Sequence, residues 1–355
     1  DTGPASHMND YWNDPALVTP LAERRRSRFW LFAPFILLIV VIAAYSAYWI
    51  YARAEIELGV DEWVASERAR GAIVDFESRE VGGYPFRFEL DVASPRYQPP
   101  NAASWEGERL QLVMQPWNWN HVIARAPGRS VLTDRMGIRH TANLDGKSAA
   151  SVSWTEDGIH RAAIELNDVS ALIEGHDYAA RGFSLNLAPS PETSDNLLVA
   201  LQWDTLTLDA APVSAPWLGT EIQASRLIGE VDNFYPAWVR SGGKPEYFYK
   251  AMVQEGGALE IGQALLNWGP LKFGAKGKVT IENGLASGSF GVRIDDAEDL
   301  KAALQSAGYW RIQEQAAVAT LEGASADGGF LTFTVENNKL MVGTVVIGEL
   351  PAPGL

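Results

Sequence analysis

The sequence predicts a mainly β protein: an N-terminal transmembrane helix and helical stalk, then a long, curled antiparallel sheet with two or three short helices. Three observations carry that expectation. Phe29 to Tyr51 contains no charged residue. From Ile73 to Ile347 apolar residues recur at a spacing of two. Charged and polar side chains fill the positions between them, the mark of strands with one dry face and one wet face. So many strands exceed what a flat sheet holds, so the sheet should curl into a groove, a half-pipe or a barrel-like form.

Residues 1–7 look like a cloning remnant ending at His7, before Met8. Residues 8–28 read as a short cytoplasmic tail. Phe29–Tyr51 follows as the transmembrane helix. At a rise of about 1.5 Å per residue it spans about 34 Å, enough to cross a bilayer core with some tilt. Arg24, Arg25, Arg26 and Arg28 precede it and only Arg53 follows closely, so the positive-inside bias predicts a cytoplasmic N-terminus. Phe29 and Trp30 at one end, and Tyr45, Tyr48, Trp49 and Tyr51 at the other, read as interfacial aromatic belts. The stretch is longer than the apolar region of a cleaved signal peptide, about 7–15 residues, and lacks a small-residue cleavage site at its end. Pro34 falls in the first turns, where a missing amide donor costs little.

Residues 52–71 continue with helix formers and predict a stalk. Val60, Trp63 and Val64 mark one face, and Gly71 is placed as the stop. From Ile73 the period changes to two. Val74 and Phe76 form a first row, and Phe86, Phe88, Leu90 and Val92 a second. Gly82, Gly83, Tyr84 and Pro85 are the turn expected to join these two runs as a hairpin. Further rows include Leu110, Leu112 and Met114, then Phe183, Leu185 and Leu187. Leu197 to Trp203, Leu206 with Leu208, and Phe290 to Ile294 continue the pattern.

Helices are expected at Pro245 to Gln254, at Asp295 to Ala307 and, more weakly patterned, at Ile312 to Leu321. Trp105, Trp203 and Trp268 are each read as opening an alternating strand, a loose internal echo. Pro212 to Pro216 is read as a hinge between an N-terminal β unit, residues 72–211, and a C-terminal one, residues 212–355.

The chain has no cysteine, which excludes a disulfide framework, so the exported part must hold together by burial. Acidic residues outnumber basic ones, 44 against 29, and the arginine cluster lies on the inner side. Such a balance argues against nucleic acid as a partner and against polybasic contact with anionic lipid headgroups. Its plainer meaning is solubility.

Catalytic chemistry is not visible, and the chain is read as a non-enzyme with no cofactor. His121, His140, His160 and His176 include no pair at helical zinc spacing, so no metal site is expected. No nucleophile elbow and no phosphate loop occur. Asp295, Asp296, Glu298 and Asp299 stand where a helix begins, and capping explains them better than calcium. Gln115 to His121 carries Trp117 and Trp119 two apart. These two rings either grip a sugar or headgroup by stacking, or plug the rim of a core.

From Trp63 to Phe88, the order of stalk, Ala69-Arg70-Gly71 stop, aromatic strand and Gly82-Gly83-Tyr84-Pro85-Phe86-Arg87-Phe88 resembles a family of bacterial single-pass inner-membrane proteins designated only as a domain of unknown function. Glu255-Gly256-Gly257, Trp268-Gly269-Pro270-Leu271 and Val345 to Pro351 share the resemblance. More distantly the layout is similar to AsmA-type envelope proteins. That kinship implies an inner-membrane anchor, a periplasmic β-groove open to acyl chains, and a part in envelope lipid transport or homeostasis. Phe86, Phe88, Leu90, Leu110, Leu112, Leu206 and Leu208 would be among the lining residues. The expected partners are the membrane, lipid and other envelope proteins. The alternative is a structural or assembly partner with a closed core, which predicts the same alternation.

Overall fold

The computed structural model describes residues 29–349 except 157, 283, 284, 327 and 328. The predicted remnant, cytoplasmic tail and arginine cluster lie outside the described residues. Helix α1 runs from Phe29 to Ala69, with Pro34 inside it. From Phe32 it is long and apolar enough to cross a membrane, as either an anchor or a signal sequence would be. The chain divides between Ala52 and Arg53 into two compact units. In the first, Phe35, Leu37 and Ile39 are exposed. In the second, α1 ends as expected at Gly71. This glycine takes a φ of +88°, and Ala72 N–H bonds the Glu67 carbonyl at 3.0 Å in a Schellman closure.

Twenty strands form one sheet among the described residues. The first ten are β1 (Ile73–Asp75), β2 (Ser78–Gly82), β3 (Phe88–Ala93), β4 (Arg96–Gln98), β5 (Ser104–Gly107), β6 (Arg109–Gln115), β7 (Asn118–Arg125), β8 (Gly128–Thr133), β9 (Arg139–Leu144) and β10 (Ala149–Thr155). Longer strands follow: β11 (Gly158–Ile173), β12 (His176–Pro189), β13 (Leu197–Thr207), β14 (Glu221–Val231), β15 (Ala258–Trp268), β16 (Leu271–Glu282) and β17 (Leu285–Asp295). Three short ones close the series: β18 (Leu331–Glu336), β19 (Lys339–Val342) and β20 (Val345–Glu349). Every pairing is antiparallel.

From β11 to β20 each strand pairs with the next. The other edge of β11 is shared. Residues 158–165 pair with β10, and residues 169–172 pair with β9. The sheet therefore forks. One arm continues through β10, β7, β6, β3 and β2. The other continues through β9, β8, β5, β4 and β1. Because β1, β2 and β20 each have one partner among the described residues, the sheet is not closed.

A polar knot holds the fork. Asp145 Oδ1 accepts hydrogen bonds from Ser148 N (2.9 Å) and Ser148 Oγ (2.7 Å), and its Oδ2 accepts from Asn167 Nδ2 at 2.7 Å. The Asn167 amide of β11 in turn donates to Ser148 Oγ, so the residue between the two pairing halves is satisfied by the linker between the arms. These bonds, led by that from Ser148 Oγ, hold the Asp145 carboxyl below the usual carboxylate range.

Several local expectations differ from the structure. Gly82 to Pro85 does make a hairpin, but between β2 and β3; the Val74 strand pairs with β4 instead. Phe86 falls in the turn, which contains a cis Tyr84–Pro85 bond, so the strand starts at Phe88. Trp203 lies inside β13 and Trp268 ends β15, so neither tryptophan opens a strand. β13 and β14 pair from Leu197↔Val231 to Thr207↔Glu221, and the sheet runs on across Pro212 to Pro216.

Helices α3 (Pro245–Gln254), α4 (Ala297–Ser306) and α5 (Ile312–Ser325) occur where the sequence places them. Helix α2 (Phe234–Arg240) is additional. It is short and carries Pro236, and tertiary burial of Ala237 against Ala251 and Met252 holds it. Leu300, Leu304 and Val318 pack α4 and α5 onto Ile294 of β17.

Candidate functional site

Cross-strand partners in an antiparallel pair share a face. In the first arm this puts Arg79, Val92 and Leu110 in one row, and Val81, Leu90 and Leu112 in the next. Glu80, Asp91 and Gln111 stand on the opposite face. There Arg109 Nε lies 2.9 Å from each oxygen of Asp91. This guanidinium holds the Asp91 carboxyl below the usual range. One face is therefore dry and the other ionic.

The dry face meets two other surfaces. In the second arm, Val74, Tyr97 and Trp105 form a row. On α1, Ile56, Gly59, Val60, Trp63 and Val64 recur at the spacing that makes a single helical face. Together they line a cleft of about 380 Å³, within the range of about 300–1,000 Å³ usual for ligand pockets. Trp63 stands over Tyr97 with ring centroids 5.8 Å apart. Tyr97 Oη donates to the buried Glu67 Oε2 at 3.0 Å, and Arg70 Nη1 donates to Glu67 Oε1 at 2.7 Å. The Glu67 carboxylate beside it raises the Tyr97 phenol above its ordinary pKa. Beside the cleft, Val64, Ala72 and Val74 form a small core.

Three charged side chains reach the lining: Asp75, Arg79 and Arg96. Arg96 pairs with Glu106 at 3.4 Å, and Asp75 stands 3.9 Å from Arg68. Arg79 is the most enclosed of the three, its side chain 20% exposed. Its Nη2 pairs with Asp61 Oδ2 at 2.6 Å. Its Cζ sits 5.7 Å from the centre of the Phe76 ring. Nη1 is buried without a hydrogen-bond partner among the described residues.

The cleft does not end the apolar surface. From Leu90 and Leu112 the same row continues by register through Ala124, Ala150, Ile164, Leu185, Leu201, Leu227, Ala264, Ala275, Val292 and Leu331. No polar residue interrupts it. At a strand spacing of about 4.8 Å it extends for about 50 Å across the sheet. Beside it runs a second apolar row that starts with Phe88, Met114, Val122 and Val152.

A family model described as "Uncharacterized protein conserved in bacteria (DUF2125)" matches residues 49–351. The chain belongs to this family. No curated protein and no solved structure matches it. The DUF2125 span starts within α1 and takes in every strand, so it contains the whole cleft and both apolar rows.

Of the residues that sequence reasoning assigned to a lining, Leu90, Leu110 and Leu112 come together in the cleft. Phe88 is 1% exposed and packs its ring 5.3 Å from Trp119. Phe86 is 74% exposed in the β2–β3 turn. Leu206 belongs to another row with Ala180 and Ile222, past residues 182–183 and 203–204, where the β12–β13 ladder skips two pairs in unchanged register, and Leu208 follows the end of β13. Of the turn motif, Gly83 takes a φ of +98°, and a Cβ there would meet the Arg87 carbonyl at 2.7 Å. Trp117 is 66% exposed in the β6–β7 turn, whereas Trp119 lies against Phe88, so the two rings do different things.

Sequence reasoning missed Arg79, Tyr97, Trp105 and Gly59. Arg79 stands in phase with Val81, which is the signal that placed it inward. Among the described residues no three His, Asp or Glu side chains group as a metal site. His176 Nδ1 pairs with Asp209 at 2.9 Å, and this bond lowers the Asp209 carboxyl pKa.

Proposed function

We propose that this DUF2125 protein is a non-enzymatic, membrane-anchored component of the bacterial cell envelope that holds or passes lipid along its dry sheet face. In this reading the N-terminus is cytoplasmic, the anchor sits in the inner membrane and the sheet is periplasmic. The unbroken row from Leu90 to Leu331 carries the proposal. An apolar row about 50 Å long is costly to leave wet at roughly 25 cal/mol per Å², and an acyl chain would cover it. The resemblance to AsmA-type proteins points the same way.

The test is photocrosslinking in cells, with benzoylphenylalanine at Leu185 in the row and at Glu165 on the other face of the same strand pair. Lipid adducts at 185 and none at 165 are expected. Protein adducts alone at 185 would refute the lipid reading.

A second reading, an assembly partner, draws on α2 and α3, where Trp238, Val239 and Tyr247 stand exposed. It predicts protein crosslinks at Val239 whatever happens at Leu185.

A further inference from the structure

Helices α2 and α3 form a hairpin whose two sides differ. The inner side is fixed: Ala237, Ala251 and Met252 are buried together, with Val231 of β14 and Phe248 packed against them. Trp238 stacks on Phe234, with ring centroids 6.2 Å apart and planes 6° apart, and Phe248 meets the same indole at 5.8 Å. The outer side leaves apolar and aromatic groups in the open. Val239 is 75% exposed, and Trp238 and Tyr247 are exposed as well. Gly243 joins the two helices across this side. A Cβ there would lie 3.7 Å from Trp238 Nε1, and the next residue, Lys244, holds its Nζ 5.8 Å from the centre of the Tyr247 ring. Trp238, Lys244 and Tyr247 therefore make one patch at the connecting end of the hairpin. Lys250 follows Tyr247 by three residues, which keeps it on the same side of α3.

The hairpin also reverses the charge of the chain that carries it. Residues 233–254 hold three cations, Arg240, Lys244 and Lys250, against one acid, Glu246, whereas the whole chain has a formal net charge of −15. Arg240 is paired with Glu255, so Lys244 and Lys250, both exposed, are the cations offered outward. Rings with an apolar body and a polar tip, flanked by cations, are the chemistry of a membrane–water interface. An exposed valine has a place at the acyl boundary, and each lysine close to an anionic surface adds attraction. Protein interfaces, in contrast, are depleted in lysine.

We propose that the connecting end of the α2–α3 hairpin is a second membrane contact, which seats Trp238, Val239 and Tyr247 in the headgroup layer of an anionic bilayer while Lys244 and Lys250 meet lipid phosphates. The proposal rests on the anchor reading, since a tethered chain meets bilayer lipid at high local concentration. It is independent of the dry row. The buried underside gives the patch a set shape before it meets lipid, so little ordering is lost on contact.

The test uses the full chain. The sequence has no cysteine, so Val239→Cys takes a single nitrobenzoxadiazole label, a fluorophore that brightens in lipid. The labelled protein is held in phosphatidylcholine nanodiscs and mixed with vesicles of phosphatidylcholine, pure or blended with phosphatidylglycerol. In a second arm the discs themselves contain phosphatidylglycerol. Several-fold brightening wherever phosphatidylglycerol is present is expected, and the arm that responds tells whether the patch meets its own bilayer or another. A label at Met136, 80% exposed in the β8–β9 turn, should not respond. Lys244→Gln and Lys250→Gln should each weaken the response by about fivefold. Equal brightening with and without phosphatidylglycerol, or equal brightening at Met136, overturns the proposal. So does no brightening in either arm, which leaves the anchor and the lipid row standing. Benzoylphenylalanine at Val239 in cells should give lipid adducts, and protein adducts alone there overturn the proposal in favour of the assembly reading. A chain that cannot be held in discs overturns the anchor reading and this proposal with it.

Discussion

Gly59→Leu should make the protein more stable and a poorer binder at once. Glycine within a helix costs roughly 0.5–1 kcal/mol relative to alanine, and leucine is nearly as good a helix former as alanine. Gly59 lies in the interior of α1, and its missing Cβ would have nothing within 4 Å, so the side chain enters without a clash. Burying a leucine fully stabilises by about 1.5–3 kcal/mol. Gly59 is itself exposed at the cleft, so about half of that is expected. The two contributions together come to roughly 1.3–2.5 kcal/mol. For a unit of this size that is a rise in Tm of roughly 2–4 °C. Thermal unfolding followed by circular dichroism reads the first effect, and binding of the apolar fluorophore N-phenyl-1-naphthylamine reads the second, with affinity expected to drop about tenfold. Gly59→Ala should give the helix gain alone with binding preserved. A destabilised leucine variant would show that the Cβ direction meets packed atoms. A stabilised variant with undiminished binding would show that the ligand lies elsewhere.

Phe88→Ala should cost about 3–5 kcal/mol in denaturant unfolding, because the ring is buried against Trp119. Phe86→Ala, two residues away in an exposed turn, should stay within about 0.5 kcal/mol. Asp145→Ala should raise amide hydrogen exchange in β9 and β10, the two strands it ties to β11, and leave β15 to β17 protected. Asp91 has a folded-state pKa below its unfolded value because of Arg109. Its contribution is therefore present above about pH 4 and lost as pH falls through the depressed folded value. Arg109→Gln should accordingly move the midpoint of acid unfolding to higher pH in a circular-dichroism titration.

The dry rows were legible because alternation is a local property. Phe88, Leu90 and Val92, or Leu110 and Leu112, show their shared face within a few residues of chain. Pairing is not local. Nothing near Val74 announces that it lies beside Tyr97, or that Trp105 faces Leu132 across the second arm. The fork therefore stayed hidden, and with it the cleft that two arms and a helix enclose. Arg79 was hidden for a different reason. A cation in a strand ordinarily marks the wet face, which outweighs its phase with Val81, and register with Val92 and Leu110 settles the matter. Helix α2 escaped because its seven residues are too few to display a helical period.

A sheet that divides has three outer margins where an ordinary open sheet has two, and each margin offers unpaired amides and carbonyls to any passing extended peptide. This chain limits that hazard by brevity. The terminal strands β1, β2 and β20 have 3, 5 and 5 residues, whereas β11, at the branch, has 16 and is flanked on both sides. Among the described residues the longest ladders are thus spent internally, and a foreign strand would meet short outer strands.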